Sequence, residues 1–78
     1  MPTGRMIAAA RVLAGLGQRE LAALAKIDTS TLNRMERSGD STVRGQAPNV
    51  ERVLHALEKR GVEIAPDGSI RAVPKPKR

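Results

Sequence analysis

Thr29, Ser30, Asn33, Arg34 and Arg37 are the residues whose types and spacing point most directly to chemistry. At helical spacing they share one face, while Leu32 and Met35, three apart, share the opposite one. All five can donate hydrogen bonds, and their face carries no carboxylate of its own. That is the chemistry a helix needs to lie in the major groove of DNA. Arg34 suits bidentate contact with guanine O6 and N7, Asn33 can bond adenine, and Thr29 and Ser30 can meet base edges or a thymine methyl. Arg19, Arg37 and Arg44 are expected on phosphate. Gly39 and Gly45 could also open backbone amides to phosphate, or could simply serve a turn.

Other chemistries find little support. His55 is the only histidine and there is no cysteine, so neither a catalytic triad nor a zinc site is expected. No glycine-rich phosphate loop of the GxxxxGK[ST] or GxGxxG type is present. The reading is therefore a chain that is not an enzyme and uses no cofactor or metal.

The 78 residues suffice for one small domain with a limited core. Without Phe, Trp or Tyr, that core must come from Leu, Ile, Val, Met and Ala, which suits short helices packed closely. Fourteen Lys and Arg against eight Asp and Glu leave +6, with a pI near 11.2, and a polyanion is the natural partner. No apolar run approaches the roughly 20 residues that cross a bilayer. No signal-peptide core follows Met1-Pro2-Thr3-Gly4-Arg5. A cytoplasmic, nucleoid-associated protein is expected.

The elements that must position the donor face can be read along the chain. A first helix is expected from a Thr3 cap to about Ala14, with Ile7, Ala10, Leu13 and Ala14 on its apolar face. Gly15-Leu16-Gly17 ends it, and Gly17 caps a second helix, Gln18 to Ala25, with Glu20 at the capping-box position. Lys26-Ile27-Asp28 is a tight break, and Asp28 should cap a third helix from Thr29 to about Arg37. A polar loop, Ser38 to Pro48, leads to a fourth helix capped by Asn49, carrying Val50, Val53, Leu54 and Leu57 and stopped by Gly61. Alternation at Val62-Glu63-Ile64 and from Ile70 to Val73, around the turn Pro66-Asp67-Gly68, predicts a β-hairpin. Val62, Ile64, Ile70 and Ala72 would form an apolar face, covered in part by the fourth helix of the same chain and for the rest by the same hairpin of a second copy. The division expected is 1–61 as a DNA-binding domain, 62–73 as a dimerising hairpin and 74–78 as a disordered basic tail.

The pattern Arg11, Leu16-x-Gln18-x-Glu20-Leu21-Ala22, Ile27-Asp28-x-Ser30-Thr31-Leu32, Met35-Glu36 and the helix from Pro48 to Gly61 resembles a known family. It is similar to the lambda-repressor-like helix-turn-helix domains of phage repressors, Cro proteins and xenobiotic-response-element-type regulators. The resemblance covers about residues 7 to 62, and its strength lies in the preserved spacings together. It implies a mainly α fold of four helices, here followed by the short hairpin. It also implies that Gln18 bonds a phosphate and braces the recognition helix, that Thr29, Ser30 and Arg34 face bases, and that Arg11 and Glu36 form a buried pair. Residue chemistry agrees on the pair: Arg11 lies in an apolar segment and Glu36 on a basic one, each costly to bury alone. The chain departs from the family in three places. Lys26 stands where glycine is usual, Gly17 replaces a Ser or Thr, and Asp28 replaces a similar hydroxyl.

Two functions follow. The first is a sequence-specific double-stranded DNA-binding transcriptional regulator, expected to repress and to bind as a homodimer without a small-molecule effector. The second is a protein-interaction module, such as an antitoxin or anti-repressor, on the same scaffold.

Overall fold

The computed structural model describes residues 3–39, 47–65 and 67–72. Four helices and a C-terminal antiparallel hairpin make up the described fold: α1 (Gly4–Leu13), α2 (Gln18–Ala25), α3 (Thr29–Arg37), α4 (Ala47–Lys59), β1 (Val62–Ile64) and β2 (Ile70–Ala72). The expected Arg44 and Gly45 contacts, Val73 and the tail 74–78 lie outside the described residues.

Each helix begins or ends for a local reason. The Thr3 hydroxyl accepts from the Met6 amide and caps α1. After α1, Gly15 turns left-handed (φ 76°), which lets the Leu16 amide reach back to the Arg11 carbonyl at 3.1 Å while Leu16 drops into the core. Glu20 accepts from the Gly17 amide at 2.8 Å, half of a capping box, since glycine has no hydroxyl to return. The same stop recurs after α2. Lys26 is left-handed (φ 61°), its amide bonds the Ala23 carbonyl, and the Ile27 amide bonds that of Ala22. Ile27 then leans on the core, as the residue after such a stop commonly does.

The core is aliphatic throughout. Ile7 and Ala10 of α1, Leu21, Ala22 and Ala25 of α2, Leu32 and Met35 of α3, and Val50, Val53, Ala56 and Leu57 of α4 are buried with Leu16 and Val62. α1 and α2 both pack on α3, and α2 also packs on α4. Close approach is enforced where α1 meets the end of α3: a Cβ on Gly4 would overlap the Met35 carbonyl oxygen, and the Arg5 amide donates to Gly39 O at 2.8 Å.

Three expectations need correction. Leu13 is 58% exposed, because α1 buries Ile7 and Ala10 and turns its last residues, Val12 included, to the surface. Asn49 is inside α4, which begins at Ala47. Pro48 is tolerated there because amides of the first helical turn have no intrahelical acceptor to lose. Asp28 occupies the cap position of α3 but its side chain makes no capping hydrogen bond.

The hairpin forms where expected, and α1 joins α4 in covering its apolar face. Val62 pairs with Ala72 and Ile64 with Ile70, so these four share a face, but that face turns on the chain's own core. Val62 is 3% exposed, Ile64 and Ile70 are half-buried, and β1 packs on both α4 and α1. Of the four, Ala72 alone is exposed. Covering the face is thus mostly intramolecular, and Val62 is not available to a second copy. On the outer face Arg71 meets Glu63 at 2.9 Å, a solvated cross-strand pair. The turn is tied by Asp67, which accepts from both the amide and the hydroxyl of Ser69; these bonds hold its carboxyl below the usual carboxylate range.

The left-handed Lys26 gives a direct test of this fold. A non-glycine residue there costs on the order of 1 kcal/mol, partly offset in a glycine variant by the greater freedom of its unfolded chain. Lys26→Gly is expected to raise stability by about 0.5 kcal/mol in chemical denaturation, whereas Gly15→Ala at the equivalent stop after α1 should lower it by about 1 kcal/mol.

Candidate nucleic-acid interface

α3 presents two unlike sides. Leu32 and Met35 are fully buried, while Thr29, Ser30, Arg34 and Arg37 are exposed and Asn33 is half-exposed. These polar residues, with Gln18 from the start of α2 and Ser38 after α3, line an open groove. The Ser38 hydroxyl is turned inward, donating to the Met35 carbonyl at 2.6 Å. What remains on the groove wall is amide, hydroxyl and guanidinium, with no carboxylate among the described lining residues. Among the described residues neither Arg34 nor Arg37 forms an ion pair. Arg19 is exposed on α2 but does not line the groove.

Behind the groove a single carboxylate organises three helices. Glu36 accepts from Arg11 Nε at 2.7 Å on Oε2, and from Arg11 Nη2 at 3.1 Å on Oε1. Oε1 also accepts from Gln18 Nε2 at 3.0 Å. Arg11 Nη1 donates to the Leu16 carbonyl at 2.9 Å, so the guanidinium ties α1 to the loop before α2 as well. The side chains of Arg11 and Glu36 are 18% and 7% exposed, so the pair is partly shielded from water. The hydrogen bond to Glu36 strengthens the hold of Arg11 on its proton, against the opposing effect of burial.

The ionised carboxylate dictates how the neighbouring amides point. Because Glu36 can only accept, Gln18 must turn its NH2 group inward, which turns its Oε1 toward α3. There Asn33 Nδ2 donates to it at 3.3 Å. Asn33 therefore keeps its Oδ1 and one N–H for the groove, and Gln18 keeps one N–H. The family resemblance implied that Gln18 braces α3, but not that Glu36 and Asn33 are the residues it bonds. Both bonds span more than a dozen residues, and nothing in local spacing marks them.

Among the described residues no group of three or more His, Cys, Asp or Glu side chains is placed to hold a metal ion. No described helix is long and apolar enough to cross a membrane. His55 is exposed on α4, away from this groove.

The carboxylate network predicts an asymmetric response to mutation. Glu36→Ala would leave the Arg11 guanidinium and the Gln18 amide short of an acceptor, at a cost of about 3 kcal/mol in a denaturant melt. Replacing both members, Arg11→Met with Glu36→Leu, should cost far less. A single change costing under about 1 kcal/mol would show that the pair does not hold the helices together.

No protein-family model matches this chain, and no curated protein matches it significantly, so the groove and its network are read on their own geometry.

Proposed function

We propose that this chain is a sequence-specific double-stranded DNA-binding protein of the lambda-repressor-like helix-turn-helix kind. It acts as a transcriptional regulator, most simply by occluding a promoter. The observation that carries the reading is the exposed, carboxylate-free donor face of α3 in a chain of net charge +6. An α-helix with its side chains is about 10–12 Å across, which fits a major groove about 12 Å wide.

Within this reading each residue has a role set by its place. Arg34 takes a guanine edge, since its guanidinium is exposed and unpaired among the described residues. Thr29 and Ser30, in the first turn of α3, meet bases at the deep end of the groove. Asn33 retains one donor and one acceptor, the pair that adenine requires. Gln18 offers its remaining N–H to a phosphate while bracing α3, and Arg37 and Arg19 supply charge to the backbone. The protein works in the cytoplasm on the nucleoid, without a cofactor or small-molecule effector.

Arg34→Ala is expected to cost about 1–3 kcal/mol on the preferred site and to relax preference at one base position. Gln18→Ala should weaken all sequences to a similar degree. Selection of bound sequences from a random duplex library, repeated with each variant, reads both effects. An unchanged motif and affinity for Arg34→Ala would refute the assignment of α3.

One reading head contacts few bases, so the proposal includes a homodimer that brings two α3 helices to half-sites about 34 Å apart or a multiple of it. Because the hairpin face is turned on its own core, the second copy would have to pair along an edge of the two-stranded sheet. Sedimentation of the intact chain with a selected duplex should give two chains per duplex. One chain per duplex at tens of micromolar, the order at which weak dimers form, would remove the dimer from the proposal.

A further inference from the structure

α2 walls two grooves. Its first residue, Gln18, lines the one described above, while its last turn lines a second, formed with the outer face of α4 by Leu24, Lys26, Arg52, His55 and Lys59. Six to eight residues of helix separate them, about 9–12 Å along the axis. We infer that this second groove docks an acidic amphipathic segment of a partner protein, with an apolar side chain seated on Leu24 and carboxylates meeting Lys26, Arg52 and Lys59.

The first observation is Leu24. Its neighbours Leu21, Ala22 and Ala25 are buried, yet Leu24 is 42% exposed at the groove. The second is the charge around it. Arg52, His55 and Lys59 follow one another at helical spacing on α4, and Lys26 faces them from the end of α2. No carboxylate is among the described residues that line the groove; Glu51 and Glu58 belong to α4 but not to this wall. Among the described residues Lys26, Arg52 and Lys59 form no ion pair. Lys26 and Lys59 sit at helix C-termini, where a cation is favourable in any case. Arg52 is in the second turn of α4 and has no such explanation.

Three other occupants fit less well. The end of this chain, Lys75-Pro76-Lys77-Arg78, carries the same sign of charge as the groove. A second copy brings a net charge of +6 and is repelled as a whole, even though its Asp28, Glu51 and Glu58 stay exposed. DNA would satisfy the cations but offers nothing apolar to cover Leu24. An acidic helix or extended segment with a leucine-like anchor satisfies both, the anchor for affinity and the carboxylates for steering and orientation. The inference does not depend on DNA binding.

The test uses the intact isotope-labelled chain, followed by amide NMR shifts. One probe is a synthetic peptide with a leucine face flanked by glutamates; a second has the same charge with serine for leucine; a third is a random-sequence duplex. The expected result is saturable shifts at residues 24–26, 52, 55 and 59 with the leucine peptide, and binding weakened about tenfold or more with the serine peptide. Leu24→Ser and the double change Arg52→Gln, Lys59→Gln, all at exposed positions, should each weaken the leucine peptide to a similar extent, while thermal melting stays a single cooperative transition lowered only slightly by the lost helix-end charge of Lys59. Equal binding of the two peptides, shifts centred on the α3 groove, or no binding would overturn the inference. So would duplex-induced shifts at these residues, which would make the groove a nucleic-acid surface, or concentration-dependent shifts without a probe, which would make it a contact between copies.

Discussion

The carboxylate of Glu36 is the constraint on which the donor face of α3 depends. It receives two bonds from Arg11 of α1 and one from Gln18 of α2, so three short helices share one partly buried acceptor. None of these helices exceeds ten residues, and segments so short are marginal as isolated helices in water. Apolar contact brings them together but is non-directional. The carboxylate adds direction, because each donor must come to it along a defined path. Burial makes this demanding, since losing one partner leaves a desolvated charge behind. A face built on such a support is held in register with the rest of the domain.

Polarity then propagates outward from that group. An acceptor at the centre fixes the orientation of the Gln18 amide, and the Gln18 oxygen fixes that of Asn33. The hydrogen-bonding pattern offered in the groove is thus decided several ångströms behind it. Arg34 and Arg37 stand outside this chain of bonds and keep their charge for whatever enters. The division is useful for a reading surface: amides are oriented in advance, while guanidinium groups retain the reach to adapt.

Without aromatic rings the core relies on close approach instead of large side chains. Ala10, Ala22, Ala25 and Ala56 let helices approach one another, and Gly4 lets α1 touch the backbone at the end of α3. Two left-handed stops, at Gly15 and Lys26, turn the chain sharply enough for Leu16 and Ile27 to reach the core. The hairpin completes the core through Val62, Ile64 and Ile70. Its interior role explains how two short strands persist, since an isolated two-stranded hairpin is marginal at best.

Local pattern in the chain was enough to locate α1, α2, α3 and both strands, because caps, glycine stops and changes of period are interactions among residues a few positions apart. It also located the donor face of α3, since an amphipathic helix buries its apolar side wherever it packs. Asn49 misled because asparagine caps well, but the first turn of α4 already contains it. Leu13 misled because a helical stripe shows which residues could be buried, not how far along the helix a neighbour extends. The Gln18 and Asn33 bonds, the inward turn of the hairpin and the groove shared by Leu24 and Arg52 were decided only in three dimensions. The physical reason is the same for each: they depend on which elements meet and at what angle, and many packings bury the same apolar stripes until the tertiary structure selects one.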